Sequence, residues 1–309
     1  MAAPQEYTFA RYLSSKKSVD DRSLNKNVWQ ALQEALRSRN AGRPRILELG
    51  SGIGTMIERA MDWGLIDQAD YSAVDSQPDN TKEVFSRIPK WASERGFEVS
   101  ATKDVIRLAR KDKHIHISPI TADVLEFMHL PENAGSWDLL IANAFLDLVD
   151  VPLILPDLLA MLKPGGMFYF TINFDGATII QPEIDPDLDA LIENLYHKTM
   201  DERIIGGKAS GDSQTGRHFF QHASHAGAHI LESGASDWVV FARQGTYPED
   251  EAYFLHFIVH TIGLALHNHP ELDPKRFSSW LSQRHDQIDR GTLVYIAHQM
   301  DFVGTARFG

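Results

Sequence analysis

The 309-residue chain contains no cysteine. Disulfides, thiolate nucleophiles and Cys-based zinc or iron-sulfur sites are therefore excluded outright. Positive charge is also scarce: 30 Lys and Arg stand against 42 Asp and Glu, a formal net charge of −12. No overall field draws such a chain to phosphate backbones or anionic lipid, so nucleic acid is not an expected partner. Long apolar runs are missing too. The most apolar stretch, residues 139–161, is broken by Asp147, Asp150, Pro152, Pro156 and Asp157, which a bilayer-spanning helix would not tolerate. Neither a membrane partner nor a metal is expected. Glu6, Arg11, Lys16, Lys17 and Asp20 interrupt the region where a signal peptide would need its apolar core, which points to a cytoplasmic protein. What remains is an ordinary globular balance, 43% apolar and 23% charged, with enough material for a large core.

Residues 24–39 space Leu24, Val28, Ala31, Leu32, Ala35 and Leu36 as an amphipathic helix. A turn over Ala41, Gly42, Arg43 and Pro44 ends it, and Arg45–Leu49 reads as a buried strand running into Gly50-Ser51-Gly52-Ile53-Gly54. The rhythm then repeats. Strands are expected over 71–74, 114–120, 137–142 and 166–172, helices over 80–95 and 153–162, and a short helix or strand over 106–111. Such alternation predicts an α/β doubly wound parallel sheet with right-handed crossovers, and ligands beyond the carboxyl ends of its strands. After residue 175 the rhythm loosens into a helix (185–205), a polar loop (206–216), a helix (217–226), a strand (237–242), two helices (249–268 and 274–289) and a final strand (292–304). The expected organisation is an N-terminal helical lid over 1–41, a ligand-binding core over 42–175, and a region 176–309. That last region carries cap insertions at about 176–216 and 245–291 together with the last two core strands.

The glycines of the first turn let backbone approach a ligand closely, and the helix behind them presents unpaired N–H groups. A dinucleotide fingerprint would need a glycine where Thr55 stands, and Glu48 would set negative charge against a pyrophosphate. An amino-acid ligand fits better. Further along, Asp75 ends the second strand, Thr121-Ala122-Asp123-Val124-Leu125 follows the third, Trp137-Asp138-Leu139-Leu140-Ile141-Ala142-Asn143-Ala144-Phe145 carries the fourth, and Leu162-Lys163-Pro164-Gly165-Gly166 turns into the fifth. In this order the series resembles the motifs of class I S-adenosylmethionine-dependent methyltransferases, over residues 42–175 and again at the last two strands. The resemblance implies a Rossmann-like doubly wound fold, its sheet mostly parallel with an antiparallel last strand, and S-adenosylmethionine as cofactor. It places Glu48, Gly50, Gly52 and Gly54 around the methionine moiety, Asp75 at the ribose, Asp123 and Val124 at the adenine, and Asn143 near the sulfonium, with Ser51 and Ser76 also among the cofactor-binding residues.

Methyl transfer asks the protein mainly to align nucleophile and methyl carbon and to exclude water, with a base needed for oxygen or carbon acceptors. The two insertions should cap the donor, with residues 7–22 folding over the same opening, which suits a small molecule better than a macromolecule. Candidates for proton removal are His218, Asp147 and His260, and candidates for substrate binding are Arg217, His218, Tyr253 and His256. His218, His222, His225 and His229 fall on one helical stripe that could bind a divalent metal, although a polar helix face is the plainer reading and Gly227 argues that the helix ends before His229. Asn143, Asp147, Asn173 and Asp175 partly resemble the magnesium site of catechol-type O-methyltransferases. Asn143 stands where a carboxylate is needed, so a metal-independent enzyme is preferred. The resulting expectation is a small-molecule methyltransferase working by in-line transfer to oxygen, nitrogen or carbon, with a homodimer left open. Its rivals are a non-catalytic S-adenosylmethionine-binding protein and a methyltransferase acting on RNA or protein. Against the last stand the negative charge and Asn143-Ala144-Phe145 in place of an Asn-Pro-Pro-Tyr-like motif.

Overall fold

Three helices open the chain in the computed structural model, which describes residues 4, 6–39, 42–205 and 207–306: α1 (Phe9–Ser15), α2 (Lys17–Ser23) and α3 (Lys26–Ser38). Ala41 of the expected turn and Gly206 of the expected loop lie outside the described residues. Asn25 starts α3 by accepting N–H bonds from Asn27 and Val28, and the helix turns Val28, Trp29, Leu32 and Leu36 inward. Next come β1 (Arg45–Leu49), α4 (Thr55–Asp62), β2 (Gln68–Asp75) and α5 (Pro78–Glu94). Pro78 occupies the start of α5, where its missing N–H is no loss. A hairpin of β3 (Glu98–Ala101) and β4 (Ile106–Arg110) then leads into β5 (Lys113–Thr121), so residues 106–110 form a strand.

The remainder is α6 (Val124–Phe127), β6 (Trp137–Asn143), α7 (Val151–Ala160), β7 (Leu162–Gln181), α8 (Pro186–Asp201), β8 (Ile204–Ile205), β9 (Lys208–Ala209) and α9 (Thr215–His225). Last come β10 (Ala228–Ala235), β11 (Trp238–Val240), α10 (Glu251–Ala265), α11 (Pro274–Asp289) and β12 (Val294–Ala306). The main sheet runs β10-β12-β7-β6-β1-β2-β5-β4-β3, with β11 also on β12. β7, β6, β1, β2 and β5 are parallel and β12 is antiparallel to β7, which makes the fold Rossmann-like and doubly wound. Successive side chains of a strand face opposite layers. In β1, Ile46 joins a core with α3, α4, α5, α10 and α11, while Leu47 and Leu49 join one with α6, α7 and α9. No helix among the described residues is long and apolar enough to cross a membrane.

Two departures from the sequence expectations shape the site. The strand outside β12 is chiefly β10, residues 228–235, and the expected 237–242 contracts to the three residues of β11; both lie along β12 as one interrupted edge. As an edge, β10 needs no apolar alternation and so gives little signal. The second departure is β7, 20 residues long where 166–172 was expected. Its pairing with β6 ends at Thr171. The next residue, Ile172, has φ 56°, a strained value for a β-branched side chain, and donates its N–H to Asp301 Oδ1 at 2.8 Å. Above this kink, residues 173–181 of β7 pair with the first half of β12, and β11 flanks β12 on its other side. This antiparallel extension stands above the carboxyl ends of the parallel strands. The cap helices are locked by a buried cluster in which Arg284 Nη2 donates to Asp189 Oδ1 at 2.6 Å and to the same oxygen Trp280 donates its indole N–H.

Candidate functional site

The carboxyl ends of β1, β2 and β6, the β7–β12 extension and the N-terminal helices enclose a cavity of about 860 Å³. That lies in the upper part of the ~300–1,000 Å³ range of small-molecule sites. One half is built by the glycine turn, with Glu48, Gly50, Ser51, Gly52 and Ile53, by Asp75, Ser76 and Gln77 after β2, and by Val124 and Asn143. Gly50 and Gly52 have φ of 65° and 53°, closed to most side chains. A Cβ at either would also press to 3.1 Å from Phe145 and 3.0 Å from Leu13, respectively. Gly54, by contrast, packs beside Ile57, Val84 and Ile88 at the start of α4 and does not line the cavity.

Asp75 ties this turn to α5. Its Oδ2 accepts the Gly52 N–H at 2.8 Å, and its Oδ1 accepts the Gln77 N–H at 2.8 Å and Asn80 Nδ2 at 3.0 Å. Glu48 is 2% exposed and accepts the Tyr71 hydroxyl at 2.7 Å. Burial pushes its carboxyl up to about 8, against the opposing pull of the Tyr71 hydrogen bond and the Arg59 charge. Asp123 caps α6, accepting N–H bonds from Leu125 and Glu126, and leaves the cavity wall to Val124. Asn143 Oδ1 accepts the Thr171 hydroxyl at 3.1 Å.

The other half is an aromatic chamber with a few polar handles. Tyr12, Phe174, Tyr196, Trp238, Phe257 and Tyr295 line it, and Tyr12 stacks on Phe257 with centroids 4.1 Å apart. Asp147 sits on a single turn after β6, and its Oδ1 is buried with no hydrogen-bond partner among the described residues. Burial raises its pKa, while Arg203 and Lys16, both also on the cavity wall, pull it down. The Gln299 Oε1 is likewise buried and without a partner among the described residues.

Of the expected substrate and proton-transfer residues, the structure brings Asp147 to this cavity and leaves the others off its wall. Arg217 is engaged by Asp175, with Nε 2.8 Å from Oδ1, and His218 Nδ1 is 2.6 Å from Asp212. The Tyr253 hydroxyl accepts the Thr8 N–H at 2.8 Å, and His260 stacks on Tyr7 at 4.1 Å. His256 is buried against His285 and Asp289, at 2.8 and 3.2 Å. Asp175 is held by Arg217 and by His298, 3.4 Å away, and does not line the cavity. Lys16, Tyr12, Arg203, Tyr295 and Gln299 escape the sequence reading as site residues. Two signals point toward part of this set: Tyr196, Met200 and Arg203 follow i, i+4, i+7 spacing, and Tyr295, Ala297 and Gln299 alternate on β12.

No protein-family profile matches the chain, and no curated protein does. Solved structures are similar to it at low identity. One is an S-adenosylmethionine-dependent methyltransferase from Methanosarcina mazei, 11% identical with a TM-score of 0.45 over 89% of this chain and 97% of that one. Another is geranyl diphosphate C-methyltransferase from Streptomyces coelicolor in complex with Mg2+, geranyl diphosphate and S-adenosyl-L-homocysteine, 9% identical with a TM-score of 0.42 over 93% and 85%. A third is phosphoethanolamine N-methyltransferase 2 from Haemonchus contortus in complex with phosphomonomethylethanolamine and S-adenosylhomocysteine, 11% identical with a TM-score of 0.44 over 99% of this chain and 61% of that one. All three carry a methyltransferase name.

Proposed function

We propose that this chain is an S-adenosylmethionine-dependent methyltransferase acting on a small molecule. The observation that carries the reading is the continuity of one chamber, from the glycine turn past Asn143 to the aromatic half around Asp147. A nucleoside-bearing donor and a second small molecule would share it. The donor half fits its ligand chemically: left-handed glycines form a tight turn of cavity-lining backbone beneath Phe145 and Leu13, and the buried Ser51 hydroxyl has no partner among the described residues. Glu48 and residues 50–52 would hold the amino-acid end, Asp75 and Ser76 the ribose, Val124 the adenine, and Asn143 would lie near the sulfur. When bound, S-adenosylmethionine supplies a methyl group already activated on a sulfonium.

The protein's own part is positioning. The N-terminal helices cover part of the chamber, with Leu13 over Gly52 and Tyr12 on Phe257, and would limit the access of water to the bound donor. The β7–β12 extension, paired on either side of a bulge between Ala297 and Gln299, gives the acceptor a wall against which to line up. Asp147 carries the free acceptor oxygen that can take a proton from the substrate, and Lys16 and Arg203 favour its ionised form. The experiment is a calorimetric titration with S-adenosylhomocysteine. Asp75→Ala removes a charged hydrogen-bond acceptor, whose bonds contribute about 1.5–3 kcal/mol each, so affinity should fall at least about tenfold. Unchanged affinity in a normally folded variant would reject the ribose assignment.

A further inference from the structure

Away from the cavity, the loop before α9 and the first turns of that helix bring Asp212, His218 and His222 together, with one ligating atom from each within 4.8 Å of the others. We propose that these three side chains form a binding site for a divalent transition metal of the zinc class. The imidazoles sit at i and i+4 on one helix face, and the carboxylate reaches in from the loop. Two nitrogens and one oxygen are a borderline donor set that suits zinc, cobalt or nickel and not magnesium. His218 Nδ1 lies 2.6 Å from Asp212 Oδ2, and the two imidazole centroids are 6.1 Å apart. Asp212 Oδ1 is already fixed by the Gln214 N–H at 2.8 Å, which aims the other oxygen at the histidines.

A shallow surface groove of about 350 Å³, lined by Asp201, Asp212, Ser213, Gln214 and His218 but not by His222, leaves one side of the trio open to water that would complete the coordination sphere. His225, at the end of α9, and His229, on β10, stay outside the trio. The site has a structural consequence. Ser210 Oγ donates to the Leu148 carbonyl at 2.7 Å, and Gly211 packs so closely that a Cβ there would stand 3.0 Å from the carbonyl oxygens of Asp147 and Met200. A metal joining Asp212 to α9 would pin this loop, and with it the backbone that carries Asp147.

The test uses metal-free full-length protein titrated with cobalt(II), followed by visible absorption, and with zinc(II), followed by calorimetry. One ion per chain is expected. His218→Ala and His222→Ala should each weaken binding at least about tenfold, and His229→Ala should leave it unchanged. Asp212→Asn, which keeps an acceptor for the Gln214 N–H, should weaken it too, with circular dichroism unaltered. Cobalt absorption that ignores the substitutions at Asp212, His218 and His222 alike, or zinc affinity no tighter than millimolar, would overturn the site. Neither result depends on methyl transfer, so this inference and the proposed function stand or fall separately.

Discussion

Glu48 loses more by leaving water than Tyr71 and Arg59 restore, which is why its carboxyl is pushed from 4.5 up to about 8. Between those two values the folded chain holds a proton that the unfolded chain has released. Its contribution to stability is therefore complete below the lower value and is lost as pH rises through the upper one. A cationic amino group placed beside Glu48 would favour the ionised carboxylate. Binding of S-adenosylmethionine near neutral pH should thus expel a proton and tighten as pH approaches about 8. Calorimetry in two buffers of different ionisation heat counts that proton, and Glu48→Gln should release none; equal counts for the two proteins would remove Glu48 from the donor site. Asp147 makes a different expectation. Asp147→Asn should keep S-adenosylhomocysteine affinity within about twofold and lower kcat for an oxygen acceptor by about 10²–10⁴-fold, as loss of a proton acceptor does. An unaltered single-turnover rate would assign the proton to another group.

β12 lies between β7 and β10 with no room on either side of Gly304, where a Cβ would stand 2.3 Å from the Phe168 ring and 2.4 Å from the His229 carbonyl. Overpacking of this kind costs about 1–3 kcal/mol, and the backbone contact puts Gly304→Ala at the upper end. Urea unfolding should show the loss, and an unchanged midpoint would mean that β10 can shift aside. Strands β1 and β6 are legible in the sequence because they are buried on both faces and read as apolar runs, and β2 and β5 because buried apolar residues alternate with polar ones between turn residues. The upper half of β7 is not, since Asn173, Asp175, Gly176 and Thr178 break the run where the strand leaves the helical layers. The glycine turn and Asp75 are legible for a local reason, being fixed by a few residues around single turns. Lys16, Arg203, Tyr295 and Gln299 converge on the cavity from separate parts of the chain, which only tertiary packing decides. The histidines show the same limit: His256 belongs to a helical pattern, but its rotation toward His285 and Asp289 depends on how α11 docks.

Across the chain the chamber has two kinds of wall. The donor half follows from the strand-turn-helix units of the doubly wound sheet, whereas the other half is assembled from α1, α8, α10 and the β7–β12 extension. The N-terminal helices are held on both flanks of that chamber. Arg59 of α4 pairs with Asp20 and Asp21 of α2, Trp238 donates its indole N–H to Asp20, and Arg11 and Arg22 reach Asp250 and Glu251 at the start of α10. Removing any one contact leaves the others to keep the cover in register. The extension carries a consequence for how such a protein diversifies. Its backbone is secured by ladder hydrogen bonds, and Tyr295, Ala297 and Gln299 project inward at every second position of β12. Under the proposed function, exchanging those three side chains would reshape the acceptor's side of the chamber while the glycine turn stays intact, which separates the residues that would choose the substrate from those that would hold the methyl donor.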